Sequence, residues 1–404
     1  MGGNGGGENL PKVNARVLLV FVSTVVLIDT TFFTALTPLL PHYVHSFALS
    51  KADAGILVAA YPLGTLLGAL PGGVLASRLG VRPGVLSGLC LMSGATLVFG
   101  FGTSIVVLDV ARFAQGVGGA CTWSGTMAWL AAGTPVNRRG TALGVAFAAS
   151  VSGALLGPVV GAVASETGTG PAFAAATFAG VCLMVASFRV ATPLRGESQS
   201  LRSAMGALRD LGVSGGLWLT CLAGMSFGVV NVLVPLRLSA LGASAIVIAG
   251  AFLGAAALEA CLSPLVGRLA DRRGRLAPVK LSLVAAMAVS VLLPVLHPAL
   301  VLVLVLVVGL PAYGTLFVPA SAMVSDGADR RKLHQGLGFG LSNLAWAAGQ
   351  GFAAASCGAI AQATADAVPY LLLAAIFLGT LLAFGSQGRR LVLRLRPELW
   401  PSGR

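Results

Sequence analysis

Apolar residues run through this chain in long stretches, and polar positions gather in short segments between them. A membrane-spanning helix needs about 20 largely apolar residues. Twelve stretches of that length can be laid along the sequence, near 16–41, 52–76, 84–103, 105–133, 140–165, 171–190, 214–236, 243–267, 276–296, 299–325, 334–361 and 367–386. The expected fold is all-α, a membrane protein of twelve transmembrane helices in two pseudo-symmetric six-helix bundles. The longest polar stretch, 191–212, separates a first bundle over 16–190 from a second over 213–386. A Gly-rich leader over 1–15, expected to be disordered, is too polar for a signal peptide, and a basic tail occupies 387–404. Inside the linker Leu201, Met205, Leu208 and Leu211 recur at helical spacing with Arg202 and Arg209 between them, the pattern of an interfacial amphipathic helix.

Composition agrees, since 56% of the 404 residues are apolar and 10% are charged, whereas a soluble chain carries about a quarter charged residues. The net charge of +13 finds no basic domain with interleaved aromatics that would hold a nucleic acid. It is explained by orientation. All of the 26 Lys and Arg except Lys51, Arg112 and Arg237 fall on one side of the twelve-span layout, which the positive-inside rule makes cytoplasmic. Both termini are expected there, in a bacterial inner (plasma) membrane. Six cysteines, at irregular spacing in apolar stretches, suggest neither a zinc site nor a disulfide framework. His42, His45, His297 and His334 sit near the interfaces and suggest no metal site.

The two halves repeat. Residues 73–80 (GVLASRLG) and 267–274 (GRLADRRG) each follow the second span of their half, and Gly, Leu, Ala, Arg and Gly match between them. Glycine lets two helix ends approach and reverse in a very short turn, while Arg78, Arg272 and Arg275 sit where helix ends and lipid charge can use them.

At this point the chain resembles the major facilitator superfamily, whose loop signature GxLaDrxGrr follows spans two and eight. The second copy is complete in Gly267, Asp271, Arg272, Gly274 and Arg275. The first keeps Gly73, Arg78 and Gly80 but has Ser77 where the family has Asp. The resemblance implies that these loops latch the halves on the cytoplasmic side, with Asp271 carrying the larger share. Span four contains Arg112, Gln115, Gly116 and Gly118 in the pattern RxxQGxG, which in related exporters places Arg and Gln near a coupling acid. An Arg at the centre of a span costs about 2.5–3.5 kcal/mol on insertion scales, so an idle one is unexpected. Arg112 is read either as a coupling or gating residue or as a structural one that snorkels or pairs with Asp109. Span five contains Gly153, Gly157, Pro158 and Gly161, similar to the GxxxGPxxG motif of the antiporter branch. Such glycines permit close helix contact, and the proline bends the span.

Asp29 lies in the middle of span one. An acid buried in a low-dielectric cavity can take up a proton, and when ionised it can pair with a cationic substrate. The bland reading is a packing hydrogen bond with Thr30 or Thr31. Its setting resembles span one of drug/proton antiporters and vesicular amine transporters, in which this Asp contacts the amine. Those transporters place further acids in spans ten and eleven and a Lys in span two; here Gly314, Asn343 and Tyr61 stand at the matching places. Glu259 in span eight is the other intramembrane acid, either a proton carrier or a structural hydrogen-bond acceptor. Phe33, Trp123, Asn231, Tyr313, Asn343, Trp346 and Gln350, with Gln115, are expected to line a central cavity. Asp326, beside Arg330 and Arg331, is expected to belong to a cytoplasmic charge cluster.

The function these features imply is export of small organic molecules, cationic or amphipathic, by proton antiport through alternating access. The proton gradient serves as the energy source, with no cofactor, and the expected partners are the lipid bilayer, the substrate and protons, the chain working as a monomer. No phosphate-binding Gly-rich loop of the ATPase type occurs. An uncoupled facilitator, or a sugar, amino-acid or lipid exporter of the same fold, would share the loop signature. A non-transporting receptor or a membrane enzyme would need a soluble domain or a catalytic constellation that these short loops do not supply.

Overall fold

The computed structural model describes residues 14–135, 138–192, 206–331 and 335–395; some of these, Ser77, Asp271 and the run 385–395 among them, are described by their backbone alone. Among the described residues, twelve helices are long and apolar enough to cross a membrane. Spans one to six are Ala15–Ser46, Lys51–Ala76, Val81–Phe101, Ile105–Gly133, Thr141–Thr167 and Thr169–Ser187. Spans seven to twelve are Leu211–Ala240, Ala245–Ala270, Leu276–Val295, Ala299–Arg330, Gly340–Ala363 and Ala367–Phe384. Each of the twelve expected stretches overlaps one of these spans. The final helix runs on to Leu395, into the expected tail. The leader up to residue 13 and most of the expected linker, 193–205, lie outside the described residues.

Helix starts follow capping chemistry, because the first backbone N–H groups of a helix have no intrahelical acceptor. Ser50 and Asp53 form a reciprocal capping box at span two. Ser104 and Ser244 accept from Val107 and Val247 at spans four and eight. Asp210 accepts from the N–H groups of Gly212 and Val213 at span seven. The repeated loops are as short as their glycines suggest: Gly80 (φ +102°) and Gly274 (φ +78°) reverse the chain in the left-handed region, which side chains rarely adopt.

Within the first half, spans one and five, two and four, and three and six pack together; seven and eleven, eight and ten, and nine and twelve repeat the scheme. Between the halves, span two packs on span eleven and span five on span eight. Large apolar side chains such as Val20, Phe178, Leu300 and Leu382 face outward, an arrangement that suits lipid and not water.

An even number of spans puts Asn14 and Leu395 on one side, here termed the terminal side, opposite a distal side. The halves meet distally. There Gly55 rests on the backbone of Ala354, Gly358 on that of Lys51, and Gly351 on Leu63. Lys51 pairs with Asp366, and the Ala52 N–H donates to Gln362 Oε1 at 3.1 Å. Along the same stripe of span two the packing gives out toward the terminal side. Leu66 is half-buried, Leu70 is exposed, and a β-carbon at Gly73 would meet nothing within 4 Å. One apolar core draws on both halves at the distal end, including Leu39, Leu57, Val232 and Leu238, while a second, around Leu18, Trp129 and Leu130, belongs to the first half.

Candidate functional site

The row of glycines in span five brings it against span one. A β-carbon at Gly153 would strike the Leu27 carbonyl, one at Gly157 the Thr34 hydroxyl, and one at Gly161 the Ala35 carbonyl. Backbone therefore lies on backbone along the helix that carries Asp29. The threonines beside that acid are engaged elsewhere: Thr30 Oγ1 donates to Val26 O (2.9 Å) and Thr31 Oγ1 to Leu27 O (2.7 Å), each one turn back. The alternative reading, a packing bond between Asp29 and one of these threonines, is not what forms.

Asp29 instead meets span two. Tyr61 Oη donates to Asp29 Oδ1 at 2.7 Å, and both groups are buried. Gly119 of span four makes the room, since a β-carbon there would come within 2.6 Å of Tyr61 Oη and 2.9 Å of Asp29 Oδ1. Over the other part of the same tyrosine lies Arg112, its guanidinium carbon 5.0 Å from the ring centroid. Tyr61 thus stands between a carboxyl group and a guanidinium, donating to one and offering its π-face to the other.

Arg112 is 1% exposed and does not snorkel. Nor does it pair with Asp109, one of whose oxygens is buried without a partner. It donates to Gln115 Oε1 at 3.0 Å and to the carbonyls of Phe32 (3.4 Å) and Phe33 (3.2 Å) in span one. Gln115 Nε2 in turn donates to Thr96 Oγ1 at 3.0 Å. Four spans of the first half converge on one polar cluster with a single acid and a single base. A buried charge of this kind costs several kcal/mol unless complemented, and here Asp29 and Arg112 complement each other across Tyr61.

Glu259 occupies a different setting. Its carboxyl lies directly on Gly314, so close that no β-carbon fits between. Gly314 ends a short helical segment, Pro311–Gly314, where span ten is broken into three pieces. Among the described residues no group donates to the Glu259 carboxyl; the hydrogen bond at this residue is Ser263 Oγ to its backbone carbonyl, 2.8 Å. The half-buried Trp346, Phe227 and Phe317 cluster with one another, with centroid separations of 5.2 Å and 5.9 Å from the tryptophan.

The expected cavity residues divide. Phe33, Trp123, Asn231, Asn343 and Trp346 are half-buried, as lining residues must be. Tyr313 is fully buried, bonded to Ser290 at 2.8 Å and stacked on Phe377, so it faces spans nine and twelve and not a cavity. Gln115 is enclosed in the Arg112 cluster, and Gln350, 2% exposed, accepts from Trp346 Nε1 at 3.0 Å and orients that ring from behind. At the terminal side Asp326 pairs with Arg275 (3.1 Å), not with its neighbours Arg330 and Arg331. Those two turn to Asp210, at 2.8 Å and 3.9 Å. The Asp210 side chain is 13% exposed, and its carboxyl is held down at about 2, chiefly by the hydrogen bond from Arg330. Gly73 and Gly267 face open space or a single distant methyl group, and Arg78 and Arg272 are exposed. Sequence reasoning missed Tyr61 as the partner of Asp29, and missed Phe227, Phe317, Asp210 and Asp366.

Comparison with known proteins bears on this arrangement. The family model described as Major Facilitator Superfamily matches residues 22–354. An MFS-type transporter, ppzB of Metarhizium rileyi, is 30% identical over 162 residues, covering 39% of this chain and 34% of that protein. The quinolone resistance protein NorA of Staphylococcus aureus (strain MRSA252) is 31% identical over 129 residues, 32% of this chain and 33% of NorA. The chain thus matches about a third of the length of these curated relatives. Among solved structures, a bacterial homologue of the human lysosomal transporter Spinster, in an inward-facing and unoccupied conformation, aligns with a TM-score of 0.65 at 14% identity. That alignment covers 91% of this chain and 98% of the other, a likeness of fold.

Proposed function

The chain belongs to the major facilitator superfamily of transporters, and from that premise we propose that it exports small organic molecules in exchange for protons. The observation that carries this reading is the Asp29–Tyr61–Arg112 cluster: a protonatable acid in the middle of span one, bonded to a neutral donor and facing a fixed cation. Such an acid can change its charge during a cycle while Gln115 and two backbone carbonyls continue to hold the two terminal nitrogens of the guanidinium. NorA, a quinolone resistance protein, supports export as the direction. The glycine contact between spans one and five gives Asp29 a rigid support, and the distal closure with terminal parting is one state of an alternating-access cycle. With the basic residues of the loops on the cytoplasmic side, that state opens toward the cytoplasm, in the bacterial plasma membrane.

The test is transport by purified protein in proteoliposomes with an imposed pH gradient. Wild type accumulates an exported compound against its gradient when the pH difference is present, and Asp29→Asn abolishes that coupling. Full coupling in Asp29→Asn sinks the proposal.

A further inference from the structure

Two acids lie at mid-depth in the spans, and the structure treats them differently. Asp29 is 7% exposed, already bonded to Tyr61, and shares that ring with the guanidinium of Arg112. A cationic ligand seated on Asp29 would have to share the carboxyl with the phenol and approach Arg112, a like charge in a low-dielectric setting. Glu259 has neither obstacle. It is half-buried, it has no donor among the described residues, and no basic residue of spans seven to eleven lies at its depth, since Arg237, Arg268, Lys280 and Arg330 all fall near helix ends.

Its surroundings add a second element. Phe317 follows Gly314 by three residues, and Thr315 (φ −63°, ψ −17°) and Leu316 (φ −61°, ψ −29°) between them keep right-handed helical angles. Residues three apart on such a turn look to nearly the same side, about 5 Å apart along the axis. The side of span ten on which the Glu259 carboxyl rests is therefore the side from which Phe317 meets Trp346, which meets Phe227. A carboxylate with no donor among the described residues, seated one turn along span ten from a ring that joins an aromatic cluster, is suited to a large organic cation, whose charge the carboxylate takes and whose apolar body the rings cover.

We infer that Glu259, with Phe227, Phe317 and Trp346, binds the substrate, that the substrate class is an aromatic or lipophilic monocation, and that Asp29 is reserved for the proton. This rests on the transport reading above and sharpens it. Proton and cation then occupy separate acids in separate halves, and exchange between them runs through the rocking of the halves, not through competition for one carboxylate. Gly314 is part of the site because any larger residue would push the carboxyl from its seat.

The experiment is equilibrium binding to the purified full chain of two probes of the same shape, methyltriphenylphosphonium as the cation and triphenylphosphine oxide as its neutral counterpart. Glu259→Gln, which keeps the shape of the side chain, is expected to weaken the cation about tenfold or more and leave the neutral probe within about twofold. Asp29→Asn is expected to leave the cation within about twofold. Gly314→Ala keeps the acid but displaces it, and should weaken the cation selectively, which guards against a folding failure in the first variant. Failure of wild type to bind the cation, unchanged cation binding in both Glu259→Gln and Gly314→Ala, or a loss in Asp29→Asn as large as in Glu259→Gln overturns the inference. The transport reading fails separately, if the cation binds as expected but no pH gradient drives its flux in proteoliposomes.

Discussion

Tyr61 holds Asp29 by a hydrogen bond of 2.7 Å between spans two and one, in a place where neither group meets bulk solvent. A hydrogen bond to a charged group contributes about 1.5–3 kcal/mol, and a buried acid left without it bears a desolvation cost. Tyr61→Phe keeps the ring under Arg112 and removes the donor alone. Proton-driven flux should fall at least about tenfold while binding of an uncharged substrate persists, as measured by paired flux and equilibrium binding. Unchanged flux would mean that the phenol is a bystander.

The ion pair of Lys51 and Asp366 spans the two halves at the distal surface, where both side chains are about 40% exposed. Exposed pairs contribute about 0.2–1 kcal/mol, so breaking this one should shift the balance between distally closed and open states by a factor of about 1.5 to 5. Lys51→Asp should raise the reactivity of cysteines placed in the distal seam, and the added change Asp366→Lys should restore it.

Gly153 and Gly157 bear directly on span one, whereas a β-carbon at Gly144 or Gly250 would meet nothing within 4 Å. Alanine at either of the first two forces two backbones apart, a change of the overpacking kind that costs about 1–3 kcal/mol. Alanine at the last two should stay within about 0.5 kcal/mol of wild type. Thermal unfolding in detergent would separate the two groups. Equal effects would remove the case for a rigid support under Asp29.

Asp210 caps span seven and takes a two-point contact from Arg330, at 2.8 Å and 3.3 Å. Its carboxyl is held at about 2, below the ordinary carboxylate value. A lowered value means that the ionised form is the stabilised one, so its contribution is complete above about pH 4 and is lost as pH falls toward 2. The stability difference between wild type and Asp210→Asn should be constant from about pH 5 to 8 and close below about pH 4. A difference that changes steadily between pH 5 and 8 would point to another group.

What was legible beforehand follows from how lipid constrains a chain. Twelve spans could be read because each must be long and apolar, and the loops could be read because a one-residue reversal at Gly80 and Gly274 calls for a left-handed backbone. Asp29, Arg112 and Glu259 stood out as charges in apolar surroundings. Their partners did not, because an apolar helix has no polar face to reveal which way it is turned, and Tyr61 is 32 positions from Asp29. Asp210 and Arg330 are 120 positions apart, and Lys51 and Asp366 are 315 apart. Nor did Gly314 as an isolated glycine announce a seat for Glu259. That seat depends on the break in span ten and on its distance from span eight, both properties of the packed bundle.

The distal seam between spans two and eleven also has a mechanical meaning. It is centred near Gly55, and roughly 22 residues of helix, about 33 Å, separate that point from the far end of span two. Each degree of tilt about the seam therefore displaces the far end by about 0.6 Å, and a tilt of about 15° opens a mouth of about 9 Å from a contact that barely moves. A pivot made of glycine and alanine backbone, with an exposed ion pair at its rim, carries a long arm: small movement at the fulcrum, large travel at the tip.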